Sequence, residues 1–116
     1  MADDTRGESQ ADDLLPHQGL AAFRANIDAI YGAKDAARGI PETYMWFVEE
    51  VGELGRAIRK GERENLREEV SDVLAWLTTL ASLTGIDLED AAARYSDGCP
   101  RCAATPCSCS RGKGRE

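Results

Sequence analysis

The chain has 116 residues, with 21 acidic against 14 basic side chains and a formal charge of −7. That length suits one compact domain, and that charge excludes broad, unspecific nucleic-acid binding, which needs a basic field to meet the phosphates. No stretch is apolar and long enough to span a bilayer, and the acidic opening, Met1 to Glu8, lacks the apolar core of a secretory signal, so the sequence reads as cytoplasmic, with neither membrane nor nucleic acid as a partner.

Residues 1–12 are polar and aperiodic and read as a disordered tail. After Pro16, the residues Leu20, Phe23, Ile27, Ile30 and Tyr31 recur at helical spacing and form one apolar stripe. The stripe fades at Gly32, and the charged stretch from Ala33 to Ile40 reads as a connector. Pro41, Glu42 and Thr43 suit the first turn of a second helix, which runs to about Lys60 and stops at Gly61. A third helix is predicted from Glu64 or Asn65 to about Thr84, with Gly85 ending it. Asp87 to Asp90 resembles a capping arrangement and opens a short fourth helix to about Tyr95. The predicted fold is therefore all-α, a four-helix bundle in which short connections make neighbours antiparallel. The helical domain spans residues 13–95, and a Cys-rich tail follows over 96–116. Wide apolar arcs on four short helices expose too much surface for a lone chain, so a homodimer or homotetramer is expected.

On the second helix, Tyr44, Phe47, Val48, Val51, Leu54 and Ile58 fall on one arc. Glu50 and Glu53 lie on its flank, in a strip shared with Trp46 and Ala57. On the third helix the arc holds Leu66, Val70, Val73, Leu74, Trp76, Leu77 and Leu80, while Arg67, Glu68, Ser71 and Thr78 form the solvated side. Glu69 falls inside the arc, and Asp72 borders it. A carboxylate on a packing face is costly unless a cation or hydrogen bonds compensate it. Each pair has i, i+3 spacing and shares a face, and antiparallel packing brings both pairs to one point. A single such pair on an acidic chain is ordinarily solvated surface. Two pairs on consecutive helices, both displaced toward the core, suit a shared divalent ion, and oxygen-only ligands suit Mg²⁺ or Mn²⁺.

Glu49-Glu50-Val51-Gly52-Glu53-Leu54, followed by Glu68-Glu69-Val70-Ser71-Asp72-Val73-Leu74, resembles the MazG-like nucleotide pyrophosphohydrolases, whose signature is E-x-x-E, a spacer, then E-x-x-D. The resemblance covers roughly residues 14–95. It implies an all-α MazG-type fold, oligomeric assembly, and Mg²⁺ ligands at Glu50, Glu53, Glu69 and Asp72. It also implies hydrolysis of a nucleoside triphosphate to the monophosphate and diphosphate, as house-cleaning of the nucleotide pool. Glu50 or Glu53 is the candidate catalytic base, because the sole histidine, His17, stands outside the motif. Two other readings stay open. One is a phosphoribosyl-ATP pyrophosphohydrolase-like enzyme. The other is a non-catalytic helical module whose zinc-binding tail recruits partners.

Lys60, Arg63 and Arg94 are candidate phosphate-binding residues, although Lys60 and Arg63 also suit a helix end and its acidic neighbours. Trp46 is a candidate for stacking on a nucleobase, or else an apolar contact; Trp76 reads as core. No pocket for a particular base is recognisable.

Cys99, Cys102, Cys107 and Cys109 make the pattern C-x₂-C-x₄-C-x-C. In a cytosolic chain such a cluster favours metal or redox chemistry over a disulfide framework. Four thiolates this close suit a tetrahedral structural zinc site, and reduced free thiols or incidental disulfides are the alternatives.

Overall fold

The computed structural model describes residues 19–110. Its helices are α1 (Leu20–Arg38), α2 (Ile40–Lys60), α3 (Arg63–Leu83) and the short α4 (Leu88–Ala92), followed by one 3₁₀ turn (Ala93–Tyr95). No strand occurs among the described residues. The predicted tail over residues 1–12, together with Pro16 and His17, lies outside them.

α1 corrects the expected boundary. It does not stop at Gly32 but continues to Arg38, through the stretch read as a connector. Ala33, Lys34, Ala36, Ala37 and Arg38 are good helix formers, and the Asp35 side chain is tied to α3. Gly39 then separates α1 from α2. Its φ of 86° lies in the left-handed region that favours glycine, and its backbone N–H bonds to the Asp35 carbonyl. α2 opens with Pro41 in its first turn and closes at Gly61, whose N–H bonds to the Ala57 carbonyl at 2.9 Å. Asp87 caps α4 by accepting from the N–H groups of Glu89 and Asp90.

α2 and α3 form an antiparallel hairpin, with Gly61 and Glu62 at the turn. Far from that turn, the rings of Trp46 and Trp76 still stack, with centroids 6.5 Å apart. α1 departs from the expected pairing of consecutive helices. It packs chiefly on α3, and only lightly on α2.

The interior is thin. Among the described residues the buried apolar side chains are Ile27 and Ala57, and the buried polar ones are Asp35, Thr43, Thr78 and Thr79. Each buried hydroxyl has an acceptor. Thr43 donates to the Gly39 carbonyl at 2.6 Å, Thr78 to the Leu74 carbonyl at 2.7 Å, and Thr79 to Asp35 Oδ2 at 3.0 Å. Thr78 thus lies inside, not on the expected solvated side, because the α3 face that turns from α2 is partly covered. Much of the apolar arc of α2 faces outward instead: Tyr44, Val48, Val51 and Ile58 are all exposed.

Candidate functional site

The carboxylates converge where α2 and α3 run side by side. Single oxygens of Glu50, Glu69 and Asp72 lie within 4.8 Å of one another. The antiparallel register sets this, since Glu50 stands about as far before the hairpin turn as Asp72 stands after it, with Glu69 one helical turn nearer the turn on the same face. Burial first, and then the charges of Asp72 and Glu69, push the Glu50 carboxyl above its ordinary value. A Glu50 that keeps its proton can share it with Glu69. With all three ionised, Glu69 Oε1 is buried and has no hydrogen-bond donor. Among the described residues no basic side chain forms an ion pair with the three. A divalent cation would satisfy the orphaned oxygen and relieve the mutual repulsion, and the all-oxygen donor set suits Mg²⁺ or Mn²⁺. The residues present therefore fit such an ion.

Glu53 is not in this triad. It pairs with Arg56 at 2.8 Å, and its charge adds a smaller push on Glu50. Lys60 and Arg63 are exposed at the hairpin end, about 15 Å along the helix axis from Glu50 at a rise of about 1.5 Å per residue. Arg94 sits in the 3₁₀ turn with its guanidinium against the Tyr95 ring, 5.6 Å from the centroid. None of these three cations is in the carboxylate cluster. Trp46 is partly exposed and stacks on Trp76.

A family model described as the MazG nucleotide pyrophosphohydrolase domain matches residues 40–101, more than half of the chain. The chain belongs to this family. Members typically use divalent metals, in keeping with the carboxylate cluster. Membership places the chain broadly among the hydrolases, in a family of nucleotide pyrophosphohydrolases. Comparison with curated proteins finds no match. No helix among the described residues is long and apolar enough to cross a membrane.

Beside the triad this MazG domain has a cleft of about 300 Å³ between α1 and α3. Asp72 lines it, together with Tyr31, Lys34, Arg38 and Trp76. Trp76 is half-buried and forms a wall of this cleft instead of lying in a core. Arg38 is held firmly. Its Nη1 bonds to the buried Asp35 carboxylate at 2.9 Å and donates to Thr43 Oγ1 at 3.2 Å. Its guanidinium lies over the Trp76 ring, 4.8 Å from the centroid. Thr79 completes the anchor by donating to Asp35. Sequence reasoning assigns no role to Lys34, Asp35 or Arg38, because it places them in a connector. One signal was available: Tyr31, Lys34, Asp35 and Arg38 continue the i, i+3, i+4 spacing of the α1 stripe past Gly32.

The four cysteines also come together. One sulfur from each of Cys99, Cys102, Cys107 and Cys109 lies within 4.8 Å of the others, and all are free thiols. Hydrogen bonds from Ser108 hold the Cys102 thiol down to about 5, while the bond with Cys107 and burial push Cys109 up to about 12. Without a cation, the group therefore resists losing all its protons together.

Proposed function

We propose that the chain is a Mg²⁺-dependent nucleoside-triphosphate pyrophosphohydrolase, converting a (d)NTP and water to the (d)NMP and diphosphate in nucleotide-pool house-cleaning, with Mn²⁺ as a substitute. The observation that carries this reading is the convergence of Glu50, Glu69 and Asp72, with a buried oxygen of Glu69 unpartnered, in a chain of the MazG family. Glu50, Glu69 and Asp72 hold the cation. Glu50, in the triad, and Glu53, outside it and salt-bridged to Arg56, are the two candidates for general base. When bound, Mg²⁺ supplies charge neutralisation at the phosphate oxygens and activation of water.

The remaining steps belong to the protein. The cleft beside Asp72 takes the nucleotide. Lys34 and Arg38 bind phosphate oxygens, Arg38 through a guanidinium already oriented by Asp35. Tyr31, exposed on the cleft wall, offers a face to a base. Water attacks the α-phosphorus; the new P–O bond forms as the α–β bridging bond breaks, and a carboxylate receives the water proton. Arg94, Lys60, Arg63 and Trp46 have weaker claims on substrate, given their distance from the triad or their existing contacts. The same reading includes a cytoplasmic homodimer or homotetramer, supported by an interior with so few buried apolar side chains.

The test is a panel of common and modified (d)NTPs with Mg²⁺, Mn²⁺ or chelator, with products resolved chromatographically. Release of diphosphate with metal present is expected, and reaction in ¹⁸O water should label the monophosphate. Turnover of phosphoribosyl-ATP alone would move the substrate to the related class. No metal-dependent diphosphate release from any substrate would overturn the enzymatic reading in favour of a non-catalytic module.

A further inference from the structure

Residues 98–110 follow the last helical turn and contain no buried residue, yet they fold into a tight knuckle. The Cys99 N–H bonds to the Ala104 carbonyl at 3.1 Å, and the Ala103 N–H bonds back to the Cys99 carbonyl at 2.7 Å. Gly98, at a φ of 110°, is needed there, since a Cβ would sit 2.9 Å from Thr105 Oγ1 and 3.1 Å from the Ala103 carbonyl oxygen. Ala103 occupies the left-handed region with a φ of 62°. A non-glycine residue keeps that conformation only where its surroundings over-determine it. No apolar core does so here.

The sulfurs explain it. Cys99 and Cys109 Sγ are 3.8 Å apart, and Cys102 and Cys107 Sγ are 4.0 Å apart. Four thiolates about 2.3 Å from a central zinc ion stand about 3.8 Å from one another at the corners of a tetrahedron. The polypeptide also supplies the outer hydrogen bonds that such thiolates use. The N–H of Arg101 donates to Cys99 Sγ at 3.4 Å, that of Ser108 to Cys102 Sγ at 3.3 Å, and that of Cys109 to Cys107 Sγ at 3.3 Å.

We propose that Cys99, Cys102, Cys107 and Cys109 bind one Zn²⁺ in a closed tetrahedral site that folds the 98–109 knuckle and is separate from the carboxylate site. All four positions are taken by sulfur, so no place remains for a metal-bound water or a phosphate oxygen, and the ion is structural. Soft thiolates select zinc, as the hard carboxylate oxygens of the other cluster select Mg²⁺.

The experiment uses the full chain, purified without added zinc or chelating tags. Elemental analysis should find about one zinc per chain. Exchange for Co²⁺ should give the intense visible bands of a tetrahedral thiolate site. The four thiols should react slowly with a thiol reagent until a strong chelator is added. A Cys102→Ser/Cys107→Ser double variant should lose the zinc. Because that variant could fail to fold, the wild-type zinc content and thiol protection decide the matter. Chains free of metal with four freely reactive thiols, or chains carrying iron, would overturn the proposal. These readouts do not require turnover, so they stand apart from the proposed hydrolase activity.

Discussion

The guanidinium of Arg38 is fixed over the Trp76 ring, 4.8 Å from its centroid, by the buried carboxylate of Asp35. A cation on α1 is thereby presented in the cleft that Asp72 also lines. A guanidinium oriented before substrate arrives loses little freedom on binding phosphate. Arg38→Ala should raise KM for nucleotide more than it lowers kcat. A lost charge-assisted bond of about 1.5–3 kcal/mol corresponds to about ten- to a hundredfold. Arg38→Lys should recover only part, because an ammonium lacks the planar fork that pairs with Asp35 while covering Trp76. Steady-state kinetics on folded variants check this, and an unchanged kcat/KM for Arg38→Ala would remove the residue from the site.

Glu68 and Glu69 are neighbours with opposite surroundings. Glu68 is exposed, whereas Glu69 is half-buried with an unpartnered oxygen. Glu69→Gln should cut activity by at least about two orders of magnitude, the scale of losing one electrostatic stabiliser. Its apo form should be as stable as wild type or more so, since one source of repulsion is gone. Stabilisation by Mg²⁺ should shrink, because only binding to the native state raises the melting temperature. Glu68→Gln should change neither. Identical behaviour of the two variants would defeat the carboxylate site.

The raised Glu50 carboxyl makes apo stability depend on pH. Its folded pKa lies above the ordinary value of 4.5. The native state therefore holds this proton more tightly than the unfolded chain does. The resulting stabilisation is fully present below 4.5 and is lost as pH rises through the folded value. In chelator, wild type should lose stability relative to Glu50→Gln as pH rises across this window. Added Mg²⁺ should oppose the loss, and its affinity should fall toward acid pH as protons compete for Glu50. Thermal melts of both proteins from pH 4 upward, with and without Mg²⁺, measure this. Parallel melting curves would contradict it.

The outer face of α2 is apolar, with Met45 62% and Ile58 61% exposed beside Val48 and Val51. A patch of this kind on a chain with so little interior calls for a second copy. Sedimentation at micromolar concentration should give a dimer or tetramer. Val48→Glu or Ile58→Glu should shift it toward monomer and lower the melting temperature. A stable wild-type monomer would refute the assembly.

Local spacing made much of this protein legible. Periods of three and four residues located α2 and α3, the capping arrangement from Asp87 located α4, and the displacement of Glu50 and Glu69 from the solvated faces marked the carboxylates, because helical geometry carries a face from sequence alone. The cysteine spacing was equally open to reading. Tertiary structure decided what depends on which helix covers which. It extended α1 to Arg38 by bonding Asp35 to Thr79 across 44 positions of sequence. It buried Thr78, which periodicity places outside, and left Val48 and Ile58 bare, which periodicity places inside. It drew Glu50, Glu69 and Asp72 together while leaving Glu53 with Arg56, and it opened the cleft that joins Arg38 to Asp72. A helical period reports that a face is apolar or polar; only long-range packing determines what that face meets.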